Sequence, residues 1–290
     1  MHIFEHEDYI IICLNGVLAL AAAVTNFLFV LAILKTPSLH TPSNILLCFL
    51  AFSDFGVGFV VQPLFITSAV VSQERMHFFL NSMTIASILL YGASVMTMTA
   101  IAVDRYLALV LHLQYRTIVT VSRTIKFKLI LFFLALCGYF LRFALPTNLR
   151  YIFIIIGILF CIFISSFCHI KIQRIVRRHR RQIIDQAMAI ANQFPSSFVP
   201  PLRQGKSITT MYYINGLFVI CLLPYLIGVA LLLQYGELPS VIIYRYCAWN
   251  ILTLKSALNP FLYCWRMRDT KCAIKTLVIS AIKKMYCCKR

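Results

Sequence analysis

Charge is what this sequence has least of. Only 12% of its 290 residues are Asp, Glu, Lys or Arg, against about 25% in a soluble domain, and apolar residues make up 61%. A water-soluble globular domain is excluded. Acid is scarcer still, with nine Asp and Glu against 27 Lys and Arg and a net charge of +18. A basic surface for nucleic acid would need a soluble domain to carry it, so no nucleic-acid partner is expected. No Asn-x-Ser/Thr sequon occurs, and the short polar N-terminus lacks the basic region and cleavage site of a secretory signal. The first apolar run is therefore expected to act as its own insertion signal. A transporter would show an internal repeat or broken segments in matching halves, and neither is visible. The histidines and cysteines of the apolar runs lack metal-ligand spacing, and no catalytic constellation suggests an enzyme.

What is present is a series of runs long enough to cross a bilayer, which takes about 20 mostly apolar residues. They are Tyr9 to Leu34, Ser43 to Val71, His77 to Leu111, Thr124 to Pro146, Tyr151 to Ile175, Ser207 to Gln234 and Ser240 to Trp265. A shorter amphipathic run, Arg268 to Met285, follows. The expected fold is an all-α membrane protein, a seven-transmembrane helix bundle with a short amphipathic eighth helix along the inner leaflet. Residues 1–8 form an extracellular N-terminus, 9–265 the bundle with a third cytoplasmic loop at about 176–206, and 266–290 the amphipathic helix and tail.

Lys and Arg are retained on the cytoplasmic side, and their distribution is one-sided. Apart from Arg75, Arg142, Arg150, Arg245 and Lys255, all the basic residues fall in the first, third and fifth connections, their flanks and the tail. The opposite side holds Glu5, Glu7, Asp8, Glu74 and Glu237. This predicts the N-terminus outside, the C-terminus in the cytoplasm and a multi-pass plasma-membrane protein. Nine of the 11 cysteines lie in the bilayer or on the inner side, where thiols stay reduced. Cys13 and Cys247, at the outer ends of the first and seventh runs, could be bridged or could be two small packed residues. Cys287 and Cys288 beside the amphipathic run are candidates for palmitoylation.

Polar residues inside the runs mark function or pairing, because an isolated charge in the hydrocarbon costs at least a few kcal/mol. The second run places Asp54 at mid-depth, and the first holds Asn26. The third ends in Asp104-Arg105-Tyr106, where Arg105 can pair with its neighbour, swing inward, or simply snorkel to the interface. Pro224 and Pro260 are helix-interior prolines and predict kinks in the sixth and seventh runs; Gln62-Pro63 predicts another in the second. The segment Lys255 to Tyr263 combines a lysine, Asn259, Pro260 and Tyr263 in one span.

Asn26, Leu50 to Asp54, Asp104-Arg105-Tyr106, Phe218…Cys221-x-x-Pro224 and Asn259-Pro260-x-x-Tyr263 occur in successive order, and nearly the whole chain resembles the rhodopsin-like (class A) G-protein-coupled receptors. The resemblance implies that Arg105 engages a heterotrimeric G protein after the sixth span moves outward, that Tyr263 rotates inward to support the open state, and that Leu113 inserts into the G protein. It also implies an internal sodium-type pocket, here Asp54, Ser94, Ser256 and Asn259, with Asn26 close by.

The departures narrow the expectation. Leu80 stands where the family has the third-span cysteine of an outer disulfide, and Thr147 to Arg150, the predicted second outer loop, holds no partner for it. Missing disulfide, short loop and absence of a fifth-span proline are together similar to the melanocortin and lysolipid-type branch, although the pocket residues do not assign the chain there. Leu136 and Leu222 replace familiar tryptophans, and Gln204 falls at the acidic partner of Arg105. Ser87 stands where amine receptors carry an aspartate, which disfavours an amine ligand. Opsins bind retinal through a lysine seven residues before the proline; Thr253 holds that position. Lys255 is two residues further on, a rotation of about 200° on a helix, so no retinal and no light-sensing role is expected. Its ammonium can instead approach Asp54 and take the place of the internal sodium, unless it is directed elsewhere or held neutral.

The remaining cavity candidates are Gln62, Asn81, Thr84, Ser87, Tyr91, Tyr225, Arg245, Trp249 and Asn250. They favour a small neutral or anionic extracellular ligand, although core packing explains most of them equally well. The expected function is a receptor that binds such a ligand and activates a heterotrimeric G protein, with membrane lipids as the other partner. The alternative is a ligand-independent or dimer-partner receptor, as homodimer or heterodimer.

Overall fold

The computed structural model describes residues 6–71, 73–193, 205–266 and 268–287, and among them it is helical with short connections. Helix α1 (His6–Lys35) is the first span, and α2 (Pro42–Gly56) continues through a π-helical turn (Val57–Val61) into α3 (Gln62–Val70) as the second. The third is α4 (Gln73–Leu111), followed by a short inner helix α5 (Tyr115–Ile118). Helices α6 (Val121–Ala144), α7 (Thr147–Gln193), α8 (Gly205–Tyr235) and α9 (Pro239–Arg266) are spans four to seven, and α10 (Arg268–Cys287) is the amphipathic helix.

The third span is central, touching the second, fourth and fifth, and the first span packs on the second and seventh. Sixth and seventh spans pack on one another, and α10 lies against the first and seventh. Large apolar side chains such as Phe132, Phe133, Phe160, Phe163 and Ile220 cover the outside, while Asn26, Asp54, Ser94, Lys255, Ser256 and Asn259 are buried within. This is the inverse of a soluble protein and suits a lipid solvent, where polar groups must be satisfied inside the bundle.

Five of the helices are by length and apolar content sufficient to cross a membrane. The fourth and seventh spans, at 24 and 28 residues, are long enough and carry charged side chains along their length. Their polar residues have a visible use: α6 carries Arg123, Lys126 and Lys128 in its first turns, and α9 supplies Asn250, Thr253, Lys255, Ser256 and Asn259 to the buried polar core.

The kink predicted at Gln62-Pro63 takes the form of the π-turn. Proline lacks an N–H and its ring crowds the carbonyl four residues back; the chain widens by one residue, and the Gln62 N–H bonds to the Val57 carbonyl. The sixth and seventh helices run continuously through Pro224 and Pro260.

Two expected boundaries are corrected. The fifth-span helix reaches Gln193, so the first part of the expected third cytoplasmic loop (176–206) is helical; its alternating apolar and basic residues continue a helical face instead of breaking it. Thr147 to Arg150 is the first turn of that same helix, leaving only Leu145 and Pro146 between the fourth and fifth spans. Pro146 forces this break, because the residue before a proline is driven out of helical geometry. Cys13 and Cys247 are free thiols and form no bridge.

Candidate functional site

The buried polar core is built on Asp54, whose side chain is fully inaccessible. Ser256 Oγ donates to Asp54 Oδ1 at 2.8 Å, Ser94 Oγ to the same oxygen at 3.3 Å, and Asn259 Nδ2 to Oδ2 at 2.6 Å. Lys255 Nζ lies 3.6 Å from Oδ1 and donates to Ser94 Oγ at 2.6 Å. Its ammonium also sits 5.7 Å from the centroid of the Phe218 ring. Spans two, three, six and seven therefore meet at one ion pair.

Asn26 serves this core through the backbone of the seventh span. Its amide does not reach Asp54; it donates to the Ser256 carbonyl at 2.9 Å and to Ala22 at 2.8 Å. Residue 260, which would donate to the Ser256 carbonyl in an unbroken helix, is proline and has no N–H. Asn26 supplies the missing donor from the neighbouring span.

One helical turn further along lies a second node. Thr253 Oγ1 donates to the Trp249 carbonyl at 3.0 Å, bonds the Tyr91 hydroxyl at 3.0 Å and accepts from Gln62 Nε2. Trp249 stands edge-on to Tyr91, with centroids 5.4 Å apart, and 6.3 Å from Tyr225. Spans two, three, six and seven again converge. Gln62 Oε1, Trp249 Nε1 and Asn250 Oδ1 are buried without a hydrogen bond.

At the basic end, Asp104 is buried and does not pair with Arg105. Its oxygens accept from Ser43 Oγ at 2.6 Å and from the Tyr115 hydroxyl at 2.6 Å. Burial and the bond to Asp104 push the Tyr115 hydroxyl up to about 12. Arg105 is half-buried, and its Nε has no hydrogen-bond partner among the described residues. Tyr263 is fully buried against Phe29, with ring centroids 5.0 Å apart, and its hydroxyl is likewise without a partner. The third-span helix stops at His112, which takes a left-handed φ of 46°, and Leu113 in the following turn is 92% exposed. Next to Asp104 an apolar groove of about 280 Å³ runs between Leu46, Val103, Leu107, Ile118 and Phe127.

These features coincide with a likeness to known proteins. The model of the family described as 7 transmembrane receptor (rhodopsin family) matches residues 25–150. G-protein coupled receptor 3 of Rattus norvegicus is 28% identical, over 90% of this chain and 79% of its own length. G-protein coupled receptor 12 of Homo sapiens is 28% identical over 91% and 79%, and human trace amine-associated receptor 9 is 27% identical over 90% and 82%. Together these matches support a rhodopsin-like (class A) G-protein-coupled receptor.

It is a multi-pass membrane receptor and not an enzyme. Within the receptor, the sequence-predicted residues divide into those brought together and those left apart. Asp54, Ser94, Lys255, Ser256 and Asn259 form one cluster, and Gln62, Tyr91, Tyr225 and Trp249 another. Asn81 is exposed, so it lines no internal cavity; the rotation of the third helix turns it outward. Thr84 and Ser87 donate to the Leu80 and Met83 carbonyls of their own helix, and Asn250 Nδ2 to Tyr246. Arg245 packs its stem against Gly228 of the sixth span. Gln204, Cys288 and the side chain of Cys287 lie outside the described residues.

Sequence reasoning missed three participants. Ser43 and Tyr115 hold Asp104, and Lys128 of the fourth span is buried, donating to the Ala93 carbonyl at 3.0 Å and to Thr97. A lysine about two turns into the fourth-span helix was a signal for the last. Ser43 and Tyr115 look like ordinary loop residues until the helices are assembled.

Proposed function

We propose that this receptor binds a small extracellular ligand and activates a heterotrimeric G protein through movement of its sixth and seventh spans. The observation that carries the reading is the state of the basic end. Asp104 is engaged by Ser43 and Tyr115, which leaves the Arg105 guanidinium without an ion-pair partner among the described residues, and Leu113, in the turn that follows the same helix, is exposed. A cation and an apolar knob on one surface suit the C-terminal helix of a G protein. Tyr263, buried with an unsatisfied hydroxyl, has a reason to move when the bundle opens. The orientation proposed is N-terminus outside and C-terminus inside, with α10 along the inner leaflet and the cysteines after it available to lipidation.

The ligand reading rests on the second cluster. Gln62 offers an unused acceptor and Trp249 an unused donor, flanked by Tyr91 and Tyr225, with Arg245 above; this suits a small neutral or anionic molecule. One relative is named for trace amines, yet here Ser87 supplies no carboxylate to balance an amine, and its hydroxyl is spent on Met83. Thr253 in the opsin-lysine position is committed to Tyr91 and Gln62, which supports a receptor without retinal.

Cellular G-protein activation, wild type against Arg105→Ala with equal surface expression, tests the proposal. The variant is expected to lose signalling with ligand binding retained. Silence of the wild type across all G-protein families, with ligand libraries and with a forced-coupling chimera, would overturn it and favour the dimer-partner reading.

A further inference from the structure

The family implies an internal sodium ion at Asp54, and the residues present do not fit one. A hard cation needs oxygen lone pairs turned towards it. Here the groups around the carboxylate are donors: Ser256 Oγ, Asn259 Nδ2 and Ser94 Oγ all point their protons at it. The neutral oxygen of Ser94 is already an acceptor, at 2.6 Å from Lys255 Nζ. The ammonium stands 3.6 Å from Oδ1, with Phe218 closing its far side. Lys255 is 1% exposed and Asp54 is 0% exposed, so neither charge is compensated by water. A metal ion entering beside that ammonium would meet a like charge at close range in a medium that screens poorly.

We infer that Lys255 is the covalently supplied counter-ion of Asp54, and that the pocket holds this ammonium in place of a diffusible monovalent cation. The receptor is then indifferent to sodium, because the ammonium engages the Ser94 oxygen and stands where an ion would sit. Unlike a bound ion, the charge cannot leave. It joins the second and third spans to the seventh in every state in which the pair survives.

Thermal unfolding of the purified full-length receptor in nanodiscs of neutral phospholipid tests this without reference to signalling, so it stands or fails apart from the coupling reading. Sodium chloride and choline chloride at equal concentration screen alike and differ only in the metal. Wild type is expected to unfold at the same temperature in both. Lys255→Asn, which removes the ammonium and offers an amide oxygen, is expected to gain a saturable stabilisation by sodium over choline. A sodium-specific rise in the wild type overturns the inference, and so does a folded Lys255→Asn that ignores sodium. Should that variant fail to fold, Asp54→Asn with Lys255→Gln removes both charges together. The double variant is expected to unfold at a higher temperature than Asp54→Asn alone; equal or lower stability overturns the pairing.

Discussion

At the scale of single residues, the seventh span shows how one proline organises its surroundings. Pro260 withholds an N–H from the Ser256 carbonyl, and the Asn26 amide, 230 positions away in sequence, supplies it. Buried polar groups in a membrane protein have no water to fall back on. Replacing Asn26 by Leu therefore strands that carbonyl, at a cost of about 1–3 kcal/mol. The expected result is a lower unfolding temperature for Asn26→Leu in the wild-type background. With Pro260→Ala the N–H returns, so the same Asn26→Leu substitution should cost clearly less. Equal losses in the two backgrounds would show that the amide acts elsewhere. Asp104 follows the same logic, since Ser43 and Tyr115 occupy the oxygens that Arg105 would otherwise take.

Among elements, the decisive event is the approach of the first and second spans. The π-turn before Pro63 brings Gly58 so close to the first helix that a Cβ there would stand 2.7 Å from the Ala19 carbonyl oxygen and 2.7 Å from the Ala23 nitrogen. These are backbone atoms and cannot rotate away. Gly58→Ala is expected to cost about 1–3 kcal/mol through forced separation of the helices. Gly92, in the third span, has nothing within 4 Å of its would-be Cβ, and Gly92→Ala should be neutral or gain up to about 1 kcal/mol of helix propensity. Unfolding temperatures of the pair measure the contrast; two equal effects would sink it. The π-turn itself was legible as a proline beside Gln62, but its form depended on the wider turn being filled by the neighbouring helix.

For the molecule as a whole, insertion is expected to follow the one-sided distribution of basic residues, and a labelling experiment checks it. Cys272 in α10 is exposed and falls on the side predicted to be cytoplasmic. An impermeant thiol reagent applied to intact cells should miss Cys272 and label a cysteine introduced at Ser240, the second residue of the seventh helix. Permeabilisation should expose Cys272. The reverse pattern would invert the topology and remove Arg105 from any G protein.

Read in one dimension, the chain determined a great deal about this receptor. Run length and hydropathy specify the seven spans, because each helix must satisfy its own backbone before it meets another. Scarce charges specify where the special residues are, since Asp54 and Lys255 at mid-depth need partners whatever the fold. Register on α9 specified that Lys255 and Thr253 face differently. Only the tertiary structure decided who the partners are. The rotation of each helix about its axis places Ser94 rather than Asn81 inside, gives Asp104 to Tyr115 rather than Arg105, and sends the Asn26 amide to a carbonyl instead of a carboxylate. Those choices depend on packing between residues 11 to 230 positions apart, and the rotation that sets them is recorded in no local pattern of the chain.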